Sequence, residues 1–152
     1  MIKHIRAATT DLVREQWRNL DEAVEVELTS EDPAYPIEQA LVEHDTNGWR
    51  AGTPGPQTIS LTWAAPIAIR RIRVVFEEHS QARTQEFVLR ATTSDGAREI
   101  VRQQFTFSPP GTAIEVEEYA VNLETVSRLQ LVIVPAIGDG NAVAALKELR
   151  IA

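Results

Sequence analysis

Apolar and polar residues alternate with a period of two along most of this chain. Val24, Val26 and Leu28 are separated by Glu25 and Glu27, the pattern of a strand with one buried face. Phe87, Leu89 and Ala91 repeat it, as do Leu129, Leu131 and Ile133. Thr58–Trp63 reads as a strand that Pro66 breaks before the next begins. In that next stretch Ile67 and Ile69 share one parity, and Ile72, Val74 and Phe76 share the other. A β-bulge at Arg70-Arg71 would turn all five inward. Val101, Phe105 and Phe107 form an inward face with Gln103 as a polar intruder. Residues 113–122, 127–134 and 143–151 complete about eight strands, and Ser94-Asp95-Gly96 is a tight-turn signal. The pattern predicts an all-β fold, an antiparallel sandwich or jelly roll.

Two segments depart from that period. Leu12, Val13, Trp17 and Leu20 recur at helical spacing, with Thr10 or Asp11 able to cap. This predicts a short amphipathic helix over 11–20, in an N-terminal extension (1–22) of a single domain spanning 1–152. Trp17 would dock that helix on the sandwich. Residues 37–42 suit one helical turn or a short bridge. Asn47-Gly48 lies in a turn cluster able to adopt positive φ.

Composition narrows the function. The 152 residues carry a net charge of −7, which disfavours nucleic acid and anionic membranes as partners. There is no cysteine, so there are no disulfides, thiolate metal sites or thiol catalysis. The N-terminus lacks an apolar signal-peptide core, which points to a cytoplasmic protein unless export takes another route. The three histidines, His4, His44 and His79, fall in no zinc-binding spacing. Glu77, Glu78 and Glu86 are the residues from which a glycosidase carboxylate pair would be drawn. A solvated strand end is the favoured reading of them, and the chain is expected not to be an enzyme.

From Ala23 onward the residues resemble the discoidin, or coagulation factor V/VIII type C, family. Ala40 and Trp49 stand nine residues apart, as in that family. Gln57-Thr58-Ile59-Ser60-Leu61, Ile69–Phe76, Phe87–Gly96 and Ala144–Ile151 follow in its order. That order, more than any one motif, carries the resemblance. It implies a galactose-binding-like sandwich whose end loops hold a carbohydrate, with Trp49 packed beneath them.

On this basis the loop from Glu78 to Arg83 is the binding element. His79, Arg83 and Gln85 supply donors, and Tyr35 supplies a stacking face. The competing reading pairs Arg83 with a neighbouring glutamate and leaves His79 exposed. The family also holds a structural calcium ion, through an Asp two residues after the Ala and a Thr seven after it. Those positions are Val42 and Asn47 here. The family's C-terminal glutamate is matched at Glu148, and Asp45 lies within the loop. The metal set implied is therefore Asp45, Asn47 and Glu148, against six to eight oxygens for Ca²⁺; the expectation is no cofactor, or that calcium. The function expected is non-catalytic carbohydrate binding. The alternative is a protein-interaction or homo-oligomerisation module using a sheet face or edge strand.

Overall fold

The computed structural model describes residues 2–3, 17–21 and 24–152. Eight strands and one helical turn follow in order: β1 Val24–Leu28, α1 Glu38–Leu41, β2 Trp49–Arg50, β3 Gln57–Glu77, β4 Arg83–Thr93, β5 Gly96–Phe107, β6 Ile114–Val134, β7 Ala145–Leu146 and β8 Glu148–Ile151.

Two long strands build both layers of an antiparallel sandwich. β3 and β6 each run for 21 residues and pair with one another over most of their length. The first part of β3 and the last part of β6 lie in one layer, in the order β1-β3-β6-β4-β5. Their other halves lie in the second layer, where β8 flanks β3. Between Thr62 and Arg71 the β3–β6 register shifts three times, and Thr125 on β6 has φ 51°. A strand that turns from one layer into another must skip ladder pairs. Pro66, with no N–H to donate, sits at that corner.

The expected bulge at Arg70-Arg71 is one of these shifts. It places Ile69, Ile72, Val74 and Phe76 in the core, while Ile67 stays half-buried. Four expected strands, 58–63 with 67–77 and 113–122 with 127–134, are thus two bent ones. The expected closing strand 143–151 is in turn divided into β7 and β8.

The core lies between the layers. Ile59, Leu61, Leu89, Leu131 and Ile133 meet Ile72, Val74, Phe76, Leu149 and Ile151. Phe76 and Phe87 pack with ring centroids 5.1 Å apart. Each such side chain contributes about 1.5–3 kcal/mol by leaving water. Trp49 is buried, as the resemblance implies, and so is Trp63.

The helix expected over 11–20 lies outside the described residues except for 17–20, which form no helix. The Arg18 N–H donates to Ile151 O at 2.7 Å, alongside β8. The Trp17 ring faces the Arg71 guanidinium at 4.5 Å.

α1 buries Ala40 and Leu41, and the loop after it returns to β2, which pairs with β7. Gly48 permits that return. Its φ is 74°, and a Cβ there would stand 2.3 Å from Leu146 O. The β1–α1, β3–β4 and β6–β7 connections come together around β2 and the end of β3.

Candidate functional site

β3 gives way to β4 through Glu78–Ala82, and one ion pair shapes this connection. Arg83 Nε donates to Glu78 Oε1 at 2.7 Å. The other carboxylate oxygen of Glu78 accepts from the Ser80 amide at 3.2 Å and the Ser80 hydroxyl at 3.1 Å. The Arg83 side chain is only 3% exposed. It also donates to Gln85 Oε1 at 3.1 Å and to Pro135 O, and packs over Phe107 at 4.9 Å. Burial opposes ionisation of Glu78. The Arg83 hydrogen bond, the Ser80 amide and the Arg83 charge outweigh it and hold the carboxyl below its usual range.

Above this base lies a cleft in two connected hollows. The first, about 260 Å³, is lined by Tyr35, Asn47, Arg50, Glu77, His79 and Lys147 among others. The second, about 390 Å³, extends toward Asp32, Gln81, Arg83 and Asn141. Arg50, Glu77, Glu78 and Ser80 belong to both. The Arg50 guanidinium lies over the Tyr35 ring at 4.5 Å. His79 Nε2 is 3.3 Å from Glu77 Oε2, and Lys147 Nζ is 4.0 Å from Glu77 Oε1. The result is a shallow surface with donors and acceptors interleaved.

The expected binding residues therefore separate. Tyr35, Glu78 and His79 line the cleft, and the His79 side chain is 64% exposed. Arg83 reaches it only as part of the floor. Gln85 is fully buried beneath Arg83 and lines neither hollow. The Arg83–glutamate pairing and the exposed His79 match the competing reading of this loop. Arg50, Lys147 and Asp32 were not anticipated. A signal existed for two of them: Trp49 and Leu146 point into the core, so their neighbours Arg50 and Lys147 must point out.

Near Gln85, Glu115 is 1% exposed, and neither its carboxyl oxygens nor Gln85 Nε2 make a well-formed hydrogen bond. Burial, with the neighbouring Glu117 adding to it, pushes the Glu115 carboxyl up to about 8. Both effects favour the protonated form of Glu115.

Asp45, Asn47 and Glu148 do not converge as a calcium cage. Glu148 Oε1 faces two guanidinium groups, at 3.5 Å from Arg73 Nε and 3.8 Å from Arg150 Nε. Asp45 is exposed, with φ 55°, and Asn47 lines the cleft. Among the described residues no three of His, Cys, Asp or Glu gather as a metal site. Arg150 and Lys147 instead bond to the loop's carbonyls. These residues do not fit the ion.

No family model matches the chain, and no curated protein matches it in sequence. Solved structures do match. The Clostridium perfringens module CpGH89CBM32-5, in complex with GalNAc-β-1,3-galactose, superposes with a TM-score of 0.63 at 16% identity, covering 90% of this chain and 99% of that one. The fold is that of the discoidin-like, family 32 carbohydrate-binding modules. A second such module, from C. perfringens NanJ in complex with galactose, gives 0.60 at 14% identity, covering 89% and 96%. A chain from the complex of reduced XRCC1 with the DNA polymerase β catalytic domain gives 0.56 at 15% identity, covering 90% and 95%. The discoidin-like sandwich thus occurs both in sugar-bound modules and in a complex between proteins.

Proposed function

We propose that this domain binds a carbohydrate, without transforming it, in the cleft between Tyr35, Arg50, His79 and Lys147. The observation that carries this reading is the cleft itself, an interleaved set of N–H donors and carboxylate acceptors held on a buried Arg83–Glu78 base. Vicinal sugar hydroxyls donate and accept at once, so they suit such a surface. Two structures of the same fold that hold galactose or a galactose-containing disaccharide support it. The Arg50 guanidinium lies over one face of the Tyr35 ring, so that face is not available for stacking. The recognition is polar, and a monosaccharide should bind with a dissociation constant on the order of a millimolar. Among the described residues of the cleft, the Ser80 hydroxyl donates to Glu78, whose carboxyl is held below its usual range and is therefore a poor base, and His79 faces Glu77.

Calorimetric titration with galactose, N-acetylgalactosamine and a uronic acid tests the proposal. Arg50→Ala should remove binding with an unchanged melting temperature. Sugars that never bind, or that bind the variant equally well, refute it.

A second reading, association with another protein or another copy, rests on Ile114 and Val116, exposed on β6 beside Val75. It predicts a mass above the monomer in light scattering.

A further inference from the structure

In the discoidin resemblance a calcium ion closes the loop that begins at Ala40. In this chain the same loop closes on cations of its own. Arg150 projects from β8 under the loop, and its side chain is 4% exposed. Its Nη1 donates to Ala40 O at 2.7 Å and to Leu149 O at 3.1 Å, and its Nη2 donates to Glu43 O at 2.7 Å. Nη2 also lies 3.4 Å from His44 Nδ1. At the other end of the loop the Lys147 ammonium donates to Thr46 O. The carbonyls of Ala40, Glu43 and Thr46, which point inward from one short loop, are therefore each taken by a charged N–H.

Carbonyl oxygens turned toward one centre are what a hard divalent ion needs, together with anionic side chains. The anionic side chains do not serve that end here. Val42 stands where the family has an aspartate, and Glu148 is turned toward Arg73 and Arg150. A guanidinium meets the carbonyls without them, because its planar fork aims several N–H donors from one buried positive charge. A second, divalent cation in the same space would stand against that charge.

We infer that Arg150, assisted by Lys147, is a built-in replacement for a structural metal ion and makes the closure of residues 40–48 independent of calcium. The closure reaches the cleft, because Asn47 and Lys147 lie on its rim. The inference does not depend on which ligand the cleft takes.

Thermal melting and amide hydrogen exchange of the wild-type domain, in millimolar calcium chloride and in excess chelator, test it first. The inference expects the same melting temperature and the same exchange at 40–48 in both. Arg150→Met should speed exchange in that loop by on the order of tenfold to a hundredfold, from the loss of charged hydrogen bonds. Arg150→Lys should restore part of the protection by restoring the charge. Should Arg150→Met not fold, Lys147→Met replaces it, with faster exchange confined to the Thr46 end. A calcium-dependent rise in wild-type melting temperature, or slow exchange at 40–48 persisting in Arg150→Met, overturns the inference.

Discussion

Two buried arginines sit at different places in this domain and meet different partners. Arg83 meets a carboxylate, Glu78, at 2.7 Å, together with an amide oxygen and a carbonyl. Arg150 meets carbonyls at that range, and its nearest carboxylate, Glu148, is 3.8 Å away. The difference shows in the titration of each neighbourhood. Glu78 ionises more readily than usual, mainly through Arg83. Burial makes the Arg150 guanidinium less basic than usual, and the Glu148 charge offsets this only in part. A neutralised arginine makes a rigid floor on which exposed groups can face a ligand. An arginine that keeps its field unspent acts on backbone dipoles as a bound cation does.

The largest effect is expected at Arg83. Arg83→Met strands Glu78 beside the core and should cost about 3–5 kcal/mol in chemical denaturation. A loss no larger than that of an exposed pair, about 0.2–1 kcal/mol, contradicts the assignment of Arg83 to the floor. The pH dependence follows from the sign of the Glu78 shift. Its folded-state carboxyl titrates below the reference 4.5, so its contribution is present above that pH and lost as pH falls through the folded value.

Glu115, under the same floor, has the opposite sign. Its carboxyl titrates near 8 in the fold against a reference of 4.5. The stability linked to its proton is full below pH 4.5, declines as pH rises toward about 8 and is gone above it. Glu115→Gln keeps the shape and removes the titration. The variant should flatten the profile and gain about 1–3 kcal/mol at alkaline pH. A variant whose melting curve falls with pH as steeply as wild type would show that Glu115 is not the group responsible.

The smallest effect on stability is expected at the cleft surface. His79→Ala should change stability by less than about 0.5 kcal/mol, the range of exposed substitutions, while weakening sugar binding severalfold. A fall in melting temperature comparable to that of Arg83→Met would place His79 in the floor instead.

Strand parity made most of the sandwich legible. Wherever one face is buried, alternation fixes register, and even the Arg70-Arg71 bulge can be read from a change of parity. The corners were not legible as continuous strand. Ala64, Ala65 and Pro66 are exposed there and carry no alternation. The same parity places Gln85 inward with Phe87 and Leu89, so its burial could have been read before its amide was assigned to a ligand. Tyr35, Glu78 and His79 announced themselves as polar or aromatic loop residues. Arg50 and Lys147 did so only indirectly, as the residues that follow the buried Trp49 and Leu146, because β2 and β7 are two residues each and too short to show a period. Arg150 sits on the outward-facing parity of β8, where a sequence reads a solvated charge. Only the packing of α1 and its loop over β8 buries it.

Amide chemical-shift mapping during titration with galactose is the most direct test of the cleft as a sugar site. Progressive shifts are expected, confined to Tyr35, Arg50, residues 77–81 and Lys147 and saturating at about millimolar galactose, with the outer face of β6 silent. No shifts with any sugar, or shifts centred on Ile114 and Val116, would contradict the sugar site.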